Sequence, residues 1–125
     1  MSLEIAKLID TKLNTVCKVI YTDVNNFKNE NFIMFSLGKM RKGTDLEAGN
    51  LVLEVTGHYE YNVNKINEMD YIKQDIINNE IGKLFLAIES LNIGTGLRID
   101  NIEITPLYDN KVTMFFIFDI NILYN

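Results

Sequence analysis

The stretch "LVLEVTGHYEYNV", residues 51–63, alternates apolar and polar side chains almost without a break. Leu51, Leu53, Val55, Tyr59, Tyr61 and Val63 share one phase, and Glu54, Thr56, His58, Glu60 and Asn62 share the other. Successive side chains of an extended chain point to opposite faces, so this pattern predicts a strand with one face on a core and one in water. A strand of that kind commits the chain to a sheet, and the apolar side of the sheet needs a covering layer.

Other segments are extended by the same reasoning. "VCKVIYT" (16–22) is rich in β-branched and aromatic residues and reads as the first strand, with Cys17, Val19 and Tyr21 on one face. "FIMFSLGKM" (32–40) is the second, joined to the first by the polar "DVNNFKNEN". "RKGTDLEAGN" (41–50), with its glycines and charges, is expected to be a loop before the strand at 51. "LRIDNIEIT" and "VTMFFIFDINILY" close the chain, with a two-residue hairpin turn expected at Asp109-Asn110. In the last strand Val112, Met114, Phe116, Phe118, Ile120, Ile122 and Tyr124 take the core side, but Phe115, Ile117 and Leu123 lie on the other.

Two segments carry helical spacing instead. Ile5, Leu8, Ile9 and Leu13 form one stripe near the N-terminus. Ile77, Ile81, Leu84, Ile88 and Leu91 form another, on a helix expected from about Asn67 to Leu91 and ended near Gly94. Gly82, unfavourable inside a helix, is expected to mark a close approach to a strand. The order is α-β-β-β-α-β-β. It predicts an α+β fold: a mainly antiparallel sheet of about five strands with both helices packed on one face. No repeat or linker divides the chain, so residues 1–125 are expected to form a single domain.

Composition narrows the function. A chain of 125 residues can bury about two thirds of its unfolded surface without staples. Its net charge of −5 argues against sequence-specific nucleic-acid binding through a basic patch. One cysteine, Cys17, cannot form an internal disulfide or build a metal site alone. The amphipathic N-terminus does not read as a signal peptide, and no apolar run is long enough to span a bilayer, so no membrane partner is expected.

Catalytic patterns are sparse. His58, the single histidine, shares the polar face with Glu54 and Glu60, where a proton-transfer pair is geometrically possible; a solvated surface histidine is the simpler reading. Cys17 has no further histidine to activate it and reads as a small core residue. "GTG" at 94–96 follows a helix rather than a strand, unlike a phosphate loop. The carboxylates of "DLE" and "NEMD" lack calcium-loop spacing. Tyr59 and Tyr61 fit packing positions with their hydroxyls at an edge. No catalytic residue, cofactor or metal is expected, and the chain does not read as an enzyme.

What stands out is apolar surface that two helices cannot cover from one side. Phe32, Met34, Phe115 and Ile117 fall on the far face of the sheet. Either they pack beneath a loop, or they form a subunit interface. The charged segment between 39 and 50 favours the interface, because Lys39, Arg41 and Lys42 are followed directly by Asp45 and Glu47. A basic half beside an acidic half suits head-to-tail contact between copies.

The amphipathic first helix, "VCKVIYTDVNNFKNENFIMFSL", a charged loop, "HYEYNV" and a second helix together resemble the tail terminator (minor tail, tail completion) proteins of phages and prophages of low-G+C Gram-positive bacteria. The matching positions are Ile20-Tyr21-Thr22, Phe32 to Phe35, His58 to Val63 and Phe115 to Tyr124. The order of elements matches over nearly the whole chain, whereas each motif is short. "NNFKNEN" stands where the family carries a Gln-Gly or proline-containing loop.

The resemblance implies a structural protein that caps the head-proximal end of the tail tube as a hexameric ring and stops tube growth. It would offer a joining surface to the head-tail connector, collar or sheath protein. Its partners would be itself and the tail tube protein, first in the bacterial host cytoplasm and then in a virion or phage-tail-like particle. A head-completion or connector role in the same particle is the alternative. A small enzyme or ligand-binding module, with a pocket between helix 77–91 and the sheet near His58 or Tyr59, is the competing class.

Overall fold

A computed structural model describes residues 2–16, 19–20, 32–42, 50–61, 71–92, 96–108 and 112–123. The order of elements is α1 (Ser2–Leu13), β1 (Val19–Ile20), β2 (Phe32–Lys42), β3 (Asn50–Tyr61), α2 (Tyr71–Glu89), a 3-10 turn (Ser90–Asn92), β4 (Arg98–Tyr108) and β5 (Val112–Leu123). The fold is α+β, with two helices and an antiparallel sheet of four long strands. The long strands run in the order β2-β3-β5-β4. Where a full first strand is expected from sequence, Val19 and Ile20 add a two-residue parallel pairing to β2 at Ile33 and Met34. The remainder of "VCKVIYT" that the sequence assigns to that strand is Val16, which lies in a turn after α1, and residues outside the described ones.

The sheet obeys the alternation read from sequence. β3 pairs with β5 from Asn50↔Leu123 to Tyr61↔Val112 without a register shift. This aligns Leu53 with Ile120, Val55 with Phe118 and Tyr59 with Met114, and all six are buried. From the helices, Ile5, Ile9 and Leu13 of α1 and Ile77, Leu84 and Ile88 of α2 join the same apolar cluster. Truncating one such fully buried aliphatic side chain to Ala costs about 2–5 kcal/mol. Helix spacing places them together, with no contribution from special chemistry. In α1, Glu4 in the first turn and Lys12 in the last also match the helix dipole. Beyond α2, Asn92 Oδ1 accepts a hydrogen bond from Ile99 N at 2.8 Å and ties the 3-10 turn to the start of β4.

Gly57 shows how tightly the core phase is filled. It pairs with Phe35 on one side and Phe116 on the other. A Cβ at this position would collide with the Phe116 ring and would lie 2.5 Å from Met34 O. The Phe116 ring stacks at 6.1 Å on Phe118 and occupies the space that a side chain at residue 57 would need.

Several expectations are corrected. Arg41 and Lys42 are not loop residues: β2 continues through them, pairing Arg41 with Val52 and Lys42 with Leu51 after a bulge between Leu37 and Met40. Charged side chains are compatible with a strand whose face is open to water. β4 likewise continues past Thr105 through Pro106 to Tyr108. A proline is tolerated there because β4 stands at the margin of the sheet, where a missing N–H breaks no ladder. Among the described residues no strand approaches Gly82, since a Cβ there would meet none of their atoms within 4 Å outside the helix's own backbone. Tyr59 is not at an edge, because its hydroxyl is buried against α2. The proposed helix start at Asn67, the Gly94 cap and the Asp109-Asn110 turn lie outside the described residues, although the Tyr108↔Val112 pairing leaves three residues for that connection.

The marginal strand β4 has one more irregularity. Its pairing to β5 shifts between Asp100 and Glu103, and Asn101 in that bulge has φ +54°. Asn is one of the few side chains that enter this left-handed region at modest cost. The bulge and Pro106 interrupt the outer edge of β4 near both ends.

Candidate assembly surface

The strand register arranges the outer sheet phase, which does not enter the apolar cluster, into rows. Met34, His58, Phe115 and Thr105 form one row across β2, β3, β5 and β4. The next holds Ser36, Thr56, Ile117 and Glu103. Further along the strands come Glu54, Asp119 and Asp100, then Arg41, Val52, Asn121 and Arg98.

The two ends of this face differ in chemistry. At the first, Phe115 is 48% exposed, Leu107 is 54% exposed, and Met34 and Ile117 are half-buried. The His58 ring sits 6.2 Å from the Phe115 ring at a 56° tilt, so the histidine borders apolar neighbours on both sides of its row. Ser36 Oγ and Thr56 Oγ1 are 3.4 Å apart in the adjoining row.

At the second end polar groups satisfy one another. Arg41 Nη2 donates to Asp119 Oδ2 at 3.0 Å, and Asn101 Nδ2 donates to the same oxygen at 2.9 Å. Asn121 Nδ2 donates to Asp100 Oδ2 at 2.5 Å, and Arg98 Nε donates to that oxygen at 3.0 Å. Asp119 and Asn121 are buried, and so is Val52, which stands between Arg41 and Asn121 in its row. Carboxylates this enclosed persist only when paired or hydrogen-bonded, and both conditions are met for Asp119.

The residues expected to meet a partner therefore separate. Met34, Phe115 and Ile117 come together at the apolar end. Phe32 is placed by register opposite Glu60. Lys39, Arg41 and Lys42 are exposed at the far end of β2, and Arg41 serves Asp119 instead of a charged loop. Asp45 and Glu47 lie outside the described residues. Sequence reasoning missed exposed Leu107 and Met40 and the buried Asp119 and Asn121. "FDIN" on β5 and "RIDN" on β4 carried the second signal, since both place an acid and an Asn in segments otherwise apolar.

Among the described residues no group of three His, Cys, Asp or Glu side chains is placed to hold a metal ion. No described helix is long and apolar enough to cross a membrane. No protein-family model matches the chain, and no curated protein matches it.

Proposed function

We propose that this protein is a structural subunit that works by surface complementarity, and that it is a tail terminator whose ring caps the end of a phage or phage-like tail tube. The observation that carries this reading is the split outer face. Its polar end is internally satisfied, while its apolar end leaves Phe115 and Leu107 half exposed. Contiguous apolar surface rimmed by polar groups is the usual mark of a protein contact. In this reading both helices cover one face of a sheet of five strands, the short β1 included, and a neighbouring subunit or the tube covers the other. The interrupted edge of β4 supports contact through a face instead of strand addition.

The resemblance to tail terminators supplies the ring and the tube end, and the exposed Phe115 and Leu107 are where that role places its contacts. Mixing the protein with purified tail tubes and imaging them by electron microscopy tests it. The expected result is extra density at one tube end. Density along the sides, or none, rejects the terminator role.

A further inference from the structure

We propose that the basic end of β2 in one copy seats on the acid-rimmed apolar patch of a second copy. This rests on the assembly reading above and names the two surfaces that meet. The patch is Phe115, Ile117 and Met34, and the register sets Glu103 beside Ile117. Among the described residues Glu103 enters no ion pair, in contrast to Asp100 and Asp119, which are held by Arg98 and Arg41. Glu103, exposed beside the apolar end, is therefore the carboxylate placed to meet an incoming cation.

The complement is present on the same chain. Lys39, Met40, Arg41 and Lys42 are consecutive and exposed, and Met40 is 49% exposed although it pairs with buried Leu53. β1 flanks β2 only at Ile33 and Met34, well before this end. The result is a flexible apolar side chain between Lys39 and Arg41, with Lys42 next in line, opposite in charge to the patch and matched to it in apolar character. One chain cannot satisfy both surfaces itself. Arg41 stands in the row of Val52 and Phe115 in the row of His58, which are about 20 Å apart along β3 at roughly 3.3 Å per residue. The occupant is a second copy. A contact between two different surfaces repeats from copy to copy, and closes into a ring when its rotation allows.

The test uses two charge-reversed chains, Glu103→Lys and the double variant Lys39→Glu with Lys42→Glu, read by sedimentation velocity up to about 1 mM protein. Wild type is expected to self-associate in this range. Each variant alone is expected to lose at least about tenfold in association, because like charges then face each other. An equimolar mixture is expected to recover the wild-type level, because each reversed surface then meets its complement. Either variant associating like wild type, a mixture that recovers nothing, or wild type still monomeric at the highest concentration overturns the contact. A patch-on-patch dimer would leave the lysine variant unaffected and is rejected by its loss. Capping of tube ends is scored separately. Recovery in the mixture without capping sinks the terminator role alone, and capping that ignores the charge reversals sinks this contact alone.

Discussion

The Tyr59 hydroxyl on β3 donates to Glu80 Oε2 on α2 across 2.9 Å, and both residues are buried. This is a polar link through an otherwise apolar layer. Glu80 Oε1 accepts from Lys83 Nζ at 3.0 Å, so the carboxylate has a partner on each oxygen. Tyr59→Phe removes one of them and leaves that oxygen buried. The expected loss is about 1–3 kcal/mol by urea unfolding. A loss under a few tenths would mean that the oxygen is hydrated in solution.

Lys83 gives the same link a pH dependence. Its hydrogen bond to Glu80, followed by the charge of Glu80, raises its pKa above the ordinary 10.5. A raised amine contributes stability that is complete below its unfolded value and disappears as pH rises through the folded one. Melting temperatures of wild type and Lys83→Met should therefore differ by a constant amount from neutral pH to about pH 10 and converge above it. Added salt should shrink the difference, because Lys83 is exposed. A difference that grows in alkali contradicts the assignment.

Two glycines predict opposite outcomes. Gly82 lies inside α2, and among the described residues nothing crowds its Cβ position, so Gly82→Ala should stabilise by about 0.5–1 kcal/mol. Gly57→Ala drives a methyl into the Phe116 ring and the Met34 carbonyl, and should cost about 1–3 kcal/mol or prevent folding. Thermal denaturation of both variants decides the pair, and equal effects would refute the packing described.

The polar end of the outer face should respond asymmetrically. Arg41→Ala leaves the buried Asp119 carboxylate without its cation, with an expected cost of about 1–3 kcal/mol. Asp119→Ala should cost less, because Arg41 and Asn101 are exposed and their freed donors meet water. Chemical denaturation of the two single variants gives the order.

Phe115→Ser should leave stability within about 0.5 kcal/mol, as expected for a half-exposed side chain away from the apolar cluster. The same substitution should abolish density at tube ends. Unchanged capping by a folded Phe115→Ser protein would remove the apolar patch from the contact.

Much of the architecture is legible in the sequence wherever burial follows a period. The phase of β3 and β5 and the stripe from Ile77 to Leu91 can be read directly, because alternation and helical spacing are local properties. Met34, Phe115 and Ile117 fall on the outer phase by the same rule. What is not legible depends on partners distant in the chain. Asp119 is buried because Arg41 and Asn101 reach it, and Arg41 is 78 positions away. Tyr59 turns its hydroxyl inward because Glu80 lies on the facing helix. Charge and proline suggested that β2 ended before Arg41 and β4 before Pro106, yet pairing with one neighbour suffices at those places. Leu107 lies just past Pro106, beyond the strand end that the proline implies.

The bulge at Asn101 and the proline at 106 carry a further consequence. A long, unbroken marginal strand invites an endless ladder, the route by which concentrated proteins turn into fibrils. With its outer rim broken twice, β4 offers no continuous template for such growth. Growth by strand addition is therefore blocked at this margin of the sheet, and copies of the chain that meet here would have to do so through side chains and not through a shared ladder.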